Sequence, residues 1–253
     1  MLSHRAFPLY VRNGSPTLFH KRGLVSAVNS SHRWTRERKD DAPMRLMPLG
    51  GSVTYGCESS DGNGYRKWLY EMLVSDGFLV TMVGSRKAGS MRNNDNEGWR
   101  GFRIDQIQGK AKMSIPALAP DVVLINAGSN DSIQGFEIQH IGRRMDDMLE
   151  YVWRESPYST IILSTLLVNL DAKTESRVLW ANEQFRAVSK QKEVEQKRIV
   201  LVDMHNQYGP QLDDLSDGTH PNDLGYYKMA QIWYKGIQEA NSKGFLQQPQ
   251  GSI

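Results

Sequence analysis

Short apolar runs alternate along the chain with longer segments in which apolar residues recur every three or four positions. The runs have the continuity of buried β-strands, and the periodic segments have the spacing of amphipathic helices. The predicted strands are residues 44–49, 79–83, 121–127, 160–168 and 199–204. The predicted helices are residues 64–77, 138–154, 175–194 and 223–240. This alternation predicts an α/β fold whose open parallel sheet is covered by helices on both faces.

Three polar residues follow the ends of predicted strands. Ser52 comes after the first strand, Asn130 comes after the strand at 121–127, and His220 comes after the last strand. In open parallel sheets the ligand crevice lies beyond the carboxyl ends of the strands. We therefore expect these three side chains to lie together at one edge of the sheet.

The turn around His220 carries the clearest chemical signal. Asp217 stands three residues before His220, in a segment too rich in Gly and Pro to be helical. A histidine held by a carboxylate is a candidate general base, and Ser52, which follows a glycine turn, is a hydroxyl that such a base would activate. The three residues form a candidate catalytic triad. Only the neutral imidazole accepts the serine proton, so we expect kcat/KM to rise with pH.

Other kinds of site fit the sequence less well. The serine loop lacks the spacing of a phosphate-binding loop, and Thr54 stands where the nucleophile elbow of α/β-hydrolases requires Gly. The histidines form neither H-x-H nor H-E-x-x-H, so we expect no metal site. No pair of carboxylates typical of a glycosidase stands out. Cys57 has no adjacent histidine or cation to activate its thiol, so we expect it to pack rather than react.

Composition indicates one ordinary globular domain with an extension. Of 253 residues, 39% are hydrophobic and 23% are charged, which is enough apolar material for a core. No apolar run is long enough to span a membrane.

The net charge of +3 is uneven, because residues 1–40 carry eight Lys or Arg against two acidic residues. The high isoelectric point therefore reflects the extension, and we expect neither nucleic acid nor membrane as a partner.

The chain divides into three parts. Residues 1–42 show no regular period and contain no acidic residue before Glu37, which is typical either of a disordered leader or of an organellar presequence. They hold no continuous apolar centre of the kind that secretory signals need, so the compartment stays open. We expect one catalytic domain over residues 43–242, followed by a flexible tail over residues 243–253.

Taken together, the site segments resemble the four sequence blocks of the SGNH hydrolase superfamily, also called GDSL esterases. The blocks carry a serine after the first strand, a glycine, an asparagine in a G-x-N-D loop and a D-x-x-H near the end. Ser52, Gly101, Asn130 and the pair Asp217 and His220 match them in order. The resemblance covers about residues 44–240. It implies a three-layer α/β/α sandwich with a flavodoxin-like parallel sheet of about five strands.

Within that superfamily, residues 83–107 and Gly64-Tyr65-Arg66 look most like carbohydrate esterase family three, the acetyl xylan esterase group. Two positions depart from the pattern. Gly51 replaces the usual aspartate of G-D-S, which ordinarily helps to order the serine loop, and Asn96 stands where the esterases often have His. Neither departure touches the triad directly, but both bear on rate and substrate.

The resemblance implies a role for each matched residue. Ser52 would attack an acyl carbonyl, with His220 as the base and Asp217 as its orienting partner. The oxyanion would be held by the backbone N–H groups of Ser52 and Gly101 and by the Asn130 side chain. Water would then release the acyl enzyme through the same base, without a metal or an organic cofactor.

The expected function is therefore hydrolysis of small acyl esters, with acetyl first, from a small-molecule or polysaccharide carbohydrate ester. Two alternatives stay open: a lipid or thioester hydrolase of the same superfamily, and a catalytically impaired protein that binds carbohydrate. We take Trp99, Tyr55 and Asp131 as candidate substrate-binding residues, the aromatic pair as platforms for sugar rings. The sequence leaves the oligomeric state open.

Overall fold

The computed structural model describes residues 42–246. Seven strands are present in this range: β1 Met44–Gly50, β2 Val80–Met82, β3 Arg86–Lys87, β4 Asp95–Gly98, β5 Val122–Asn126, β6 Thr160–Ser164 and β7 Ile199–Val202. The α-helices are α1 Ser52–Tyr55, α2 Tyr65–Ser75, α3 Ile104–Leu118, α4 Ser129–Gln134, α5 Ile141–Glu155, α6 Ala172–Val194 and α7 Asp223–Ser242. The expected leader and most of the expected tail lie outside the described residues.

The predicted α/β architecture is confirmed. Five parallel strands form the body of the sheet, in the order β2, β1, β5, β6, β7. Two short strands were not predicted: β4 pairs in parallel with the end of β1, and β3 pairs antiparallel with β4. None of the helices within residues 42–246 is both long and apolar enough to cross a membrane.

β1 changes its partner along its length. Its first half pairs with β2 through Met44–Leu46, and its last two residues, Leu49 and Gly50, pair with β4. Pro48, which has no N–H to donate, lies at the gap between these two partners. The β4 segment is thereby brought against the carboxyl end of β1, where Ser52 follows.

Helices cover both faces of the sheet. Side chains alternate between the faces along each strand, so Met47 and Leu49 of β1 pack into one core and Met44 and Leu46 pack into the other. The first core lies under α3, α5 and α6, and the second lies under α2 and α7. The sheet therefore stays rigid between two apolar layers, and its carboxyl edge carries the polar loops.

Two further elements differ from the prediction. Helix α3 was not predicted, although its buried residues Ile104, Ile107, Ala111 and Ile115 have helical spacing. The strand predicted at 160–168 ends at Ser164. Beyond it, the Leu166 N–H donates to Asn182 Oδ1 and the Leu166 carbonyl accepts from Asn182 Nδ2, so Leu166 does not pair with a neighbouring strand.

Candidate active site

Ser52 lies at the start of α1, immediately beyond β1. The turn between them is tight: a side chain at Gly50 would lie 2.2 Å from the carbonyl oxygen of Asn126 and 2.4 Å from Thr54 Oγ1. Only glycine permits this close approach of β1 to β5 and α1. The tight turn presents Ser52 at the carboxyl edge of the sheet.

The structure brings His220 to this serine. His220 Nε2 lies 2.7 Å from Ser52 Oγ, and His220 Nδ1 lies 2.7 Å from Asp217 Oδ2. The other carboxylate oxygen of Asp217 accepts the backbone N–H groups of His220 and Thr219, at 2.8 and 3.0 Å. The arrangement Asp217, His220, Ser52 therefore has the geometry that base-assisted nucleophilic attack requires.

The charge of Asp217 is stabilised within this turn. Partial burial acts to raise the pKa of the Asp217 carboxyl, but the hydrogen bonds from the His220 backbone, the His220 ring and the Thr219 backbone outweigh it. Its pKa therefore lies below the ordinary value, and the group is a carboxylate at neutral pH. An ionised carboxylate at Nδ1 leaves Nε2 as the nitrogen that faces the serine.

Neighbouring loops hold the histidine turn in place. The Ser216 N–H donates to the His220 carbonyl at 2.8 Å, and the Leu170 N–H donates to the Gly218 carbonyl at 2.9 Å. Asn169 Nδ2 also donates to Thr219 Oγ1 at 3.0 Å. The loop after β6 thus anchors the turn that carries the general base.

The residues expected to hold an oxyanion lie at the same end of β1. The Trp99 N–H donates to the Gly50 carbonyl at 2.8 Å, which ties the turn containing Gly101 to the serine loop. Gly101 has a φ of +76°, a conformation that favours glycine. Asn130 Nδ2 donates to the Phe102 carbonyl at 3.0 Å and so links α4 to the same turn.

Position 51 has room for a side chain. A Cβ on Gly51 would lie 3.5 Å from Asn130 Nδ2, an ordinary van der Waals distance. The glycine found there in place of the usual aspartate is therefore not required by the fold.

A small cavity opens beside the serine. Its volume is about 10 Å³, which is room for about one water molecule. The lining is formed by the serine loop, the end of β5, the start of α4 and Phe102: Gly51, Ser52, Val53, Phe102, Asn126, Ala127, Gly128, Ser129 and Asn130. The enclosed space next to the nucleophile is therefore about the size of a methyl group.

Asp131 was expected to contact substrate, but it is not among the residues that line this cavity. The residue is fully buried, and its carboxylate binds the Arg144 guanidinium and the Ile104 N–H. Burial raises the pKa of the Asp131 carboxyl, while Arg144 acts in the opposite direction. Asp131 joins α4 to the start of α3 and so supports the loop that carries Asn130.

Trp99 and Tyr55 lie near the serine, but cations cover their rings. The guanidinium of Arg86 lies 4.5 Å from the Trp99 ring centre and 5.0 Å from that of Tyr55. Trp99 also stacks on Phe102 at 5.5 Å, and its Nε1–H donates to Glu97 at 2.9 Å. Neither ring is the bare platform expected for stacking against a sugar.

Arg66, part of the Gly64-Tyr65-Arg66 match, supports the serine helix in a way that the sequence did not predict. Its side chain is fully buried and donates five hydrogen bonds, all to backbone carbonyls. The acceptors belong to α1 and to the loops beside it: Thr54, Tyr55, Gly62, Ala88 and Asn94. Arg66 therefore holds the serine helix against its surroundings. Carbonyl acceptors leave no trace in a sequence, so only the structure identifies this role.

Two other features bear on the chemistry. Burial raises the pKa of the Cys57 thiol, with Arg100 acting in the opposite direction, so Cys57 is a poor nucleophile at neutral pH. Within residues 42–246 no three His, Cys, Asp or Glu side chains are grouped so that they would hold a metal ion.

Comparison with known proteins adds a family and a fold. The model of the GDSL-like lipase/acylhydrolase family matches residues 49–228. A multidomain esterase from Ruminococcus flavefaciens is 26% identical over 224 residues, covering 77% of this chain and 28% of that protein. The chain thus spans little more than a quarter of the length of this relative.

Two solved structures share the fold. The family 3 carbohydrate esterase from Clostridium thermocellum superposes with a TM-score of 0.71 at 24% identity, covering 80% of this chain and 99% of that one. The family 3 carbohydrate esterase from Talaromyces cellulolyticus gives a TM-score of 0.69 at 22% identity, covering 79% and 99%. At these identities the likeness establishes the arrangement of strands and helices.

Proposed function

The chain belongs to the GDSL-like lipase/acylhydrolase family, and from this premise we propose that it is a serine esterase that hydrolyses small acyl esters of carbohydrates, acetyl esters first. The observation that carries the proposal is the hydrogen-bonded series from Asp217 through His220 to Ser52, with 2.7 Å at both ring nitrogens. A serine that contacts a carboxylate-bound imidazole favours a working enzyme over a protein that only binds carbohydrate.

In the first half of the reaction, Ser52 Oγ attacks the ester carbonyl while His220 Nε2 takes its proton. Asp217 stabilises the imidazolium that forms. The negative charge on the carbonyl oxygen is met by the N–H groups of Ser52 and Gly101 and by Asn130 Nδ2. The imidazolium then gives its proton to the departing alcohol, and an acyl group stays on Ser52.

In the second half, water replaces the alcohol. His220 removes a proton from the water as it attacks the acyl carbon, and the same donors hold the second oxyanion. Collapse of this intermediate returns the proton to Ser52 Oγ and releases the carboxylic acid. Every proton in both halves passes through His220 Nε2.

The preference for a short acyl group follows from the space beside Ser52. A long acyl chain needs an apolar groove, whereas the cavity here measures about 10 Å³. The carbohydrate part of the proposal draws on the family 3 carbohydrate esterases, whose fold the chain shares. A lipid or thioester hydrolase would need a wider opening.

The test is a series of p-nitrophenyl esters from acetate to octanoate, assayed beside acetate release from acetylated xylan, acetylated chitin oligomers and acetylated simple sugars. We expect kcat/KM to fall steeply as the acyl chain lengthens, and acetate to be released from at least one of the carbohydrates. A rate that rises with chain length would favour the lipid or thioester alternative.

A further inference from the structure

Three cations gather on the aromatic residues beside the active-site turn. Arg86 lies over both Trp99 and Tyr55, as described above, and Arg100 lies 5.9 Å from the Tyr55 ring centre. From helix α3, Lys110 Nζ lies 4.4 Å from the Trp99 ring centre. We call Arg86, Arg100 and Lys110 the cation cluster.

The cation cluster is held by rings and not by carboxylates. Within residues 42–246 none of its three members forms an ion pair, whereas the nearby Lys87 and Arg103 pair with Asp95 and Asp105. An ammonium or guanidinium over an aromatic ring keeps N–H donors free to bind an incoming anion. These positive charges are therefore available to a ligand.

The acidic group that contacts the Trp99 ring is Glu97. The buried carboxylate of Glu97 accepts the Trp99 Nε1–H at 2.9 Å and both the N–H and the hydroxyl of Ser85. Those donors occupy it, and it offsets one positive charge of three. The carboxylates of Glu58 and Asp217 act on the same Cys57 thiol as Arg100 and offset part of its charge, whereas Arg86 and Lys110 keep the surface at Trp99 positive.

The cluster adjoins the reaction centre. Arg100 stands between Trp99, whose N–H is bonded to the Gly50 carbonyl, and Gly101, a proposed oxyanion donor. The charge of Arg100 also acts on the pKa of Cys57, five residues beyond Ser52, which places the guanidinium within electrostatic range of the serine loop. A substrate bound at Ser52 would extend past this surface.

From this placement we infer that the preferred substrate is an ester whose alcohol part carries a carboxylate, which the cation cluster binds while Ser52 attacks the acyl carbon. The inference rests on the proposed esterase function and names the class of its leaving group. A guanidinium matches a carboxylate through two parallel N–H donors. On a carbohydrate, such a leaving group would be an acylated acidic sugar.

A matched pair of substrates tests the inference: 3-acetoxybenzoate, which is anionic, and its neutral methyl ester. The quantity measured is the ratio of kcat/KM for the anionic to the neutral ester. The intrinsic reactivity of the two esters cancels when this ratio is compared between wild type and variants. We expect Arg100→Gln and Arg86→Gln each to lower the ratio about three- to fivefold.

The control is Lys112→Gln, which removes an exposed cation two residues beyond Lys110 on α3, where Lys112 lies over Tyr151 at 5.6 Å. This variant should keep the wild-type ratio. Raising the salt concentration from about 0.02 M to about 0.5 M should lower the wild-type ratio toward that of the Arg100 variant, because salt screens exposed charges.

The outcomes separate the two claims. If both esters are hydrolysed and the ratio is the same in wild type, Arg100→Gln and Arg86→Gln, the inference is overturned while the esterase proposal stands. If Ser52→Ala hydrolyses both esters as fast as wild type, the esterase proposal fails and the inference fails with it.

Discussion

His220 Nε2 lies 2.7 Å from Ser52 Oγ, although 168 residues separate the two in the chain. The contact forms because Ser52 follows β1 and the His220 turn precedes α7, and both emerge at the carboxyl edge of one parallel sheet. Among residues 42–246, Asp217 is the one side chain bonded to the other ring nitrogen, Nδ1. The account of catalysis depends on these two contacts.

Asp217→Asn should lower kcat by about 10²–10⁴, with little change in KM. The backbone N–H groups of Thr219 and His220 would hold the amide oxygen, so the amide nitrogen would face Nδ1 and donate to it. The proton of the ring would then sit on Nε2, which cannot accept the serine proton. The side chain is 44% exposed, so water can restore part of the activity.

Steady-state kinetics on p-nitrophenyl acetate measure this effect, with His220→Ala as the reference for complete loss of the base. If Asp217→Asn matches wild type while His220→Ala is inactive, Asp217 must be withdrawn from the mechanism and only the dyad of Ser52 and His220 remains.

The acid limb of the pH profile should report a single proton. Partial burial acts to raise the pKa of Asp217, but hydrogen bonds outweigh it and hold that pKa below its ordinary value, so this carboxylate stays ionised well to the acid side of neutral pH. As pH falls, kcat/KM should decrease with a slope of one in the logarithm, since the neutral ring alone acts as base. A slope of two above about pH 5 would mean that a second group, such as Asp217, titrates in the same range.

Asn130→Ala should lower kcat about 10²–10³-fold and leave KM nearly unchanged, because the amide meets charge that exists only in the transition state. The variant also loses the bond from Asn130 to the Phe102 carbonyl. Gln134→Ala, at the exposed end of the same helix, is the matched control and should keep the wild-type kcat. Equal losses in kcat for both variants would point to disruption of α4 instead of a lost oxyanion donor.

Much of the site could be anticipated from the sequence because its members follow apolar runs. Ser52 and Asn130 stand just beyond strands β1 and β5, and His220 follows the last strand. Parallel strands bring such residues to one edge of the sheet. Asp131 was expected at the substrate site because it stands next to Asn130, but its side chain is buried. Successive residues of a helix point about 100° apart, so the carboxylate of Asp131 points away from the site and binds Arg144.

Other features depend on tertiary partners that no spacing reveals. The cations over Trp99 and Tyr55 come from β3, the turn after β4 and α3. The acceptors of Arg66 come from four separate segments. These contacts are fixed by packing, so a sequence pattern carries no sign of them.

Arg66→Lys should destabilise the fold by about 2–6 kcal/mol. A lysine has three donors, so at least two of the five carbonyls bound by Arg66 would lose their partner, and each buried unsatisfied group costs about 1–3 kcal/mol. Urea unfolding of the variant measures the loss. Lys67→Gln, which removes the half-exposed neighbour paired with Asp61, should cost less than about 1 kcal/mol. Similar values for both variants would refute the anchoring role of Arg66.

The most direct test of the central claim is the rate of p-nitrophenyl acetate hydrolysis by wild type and by Ser52→Ala at neutral pH, with both proteins shown to be folded. The account predicts hydrolysis well above the buffer rate by wild type and a loss of at least about 10³-fold in kcat for Ser52→Ala, since the remaining donors and base have no nucleophile to act on. Equal rates for the two proteins would contradict it.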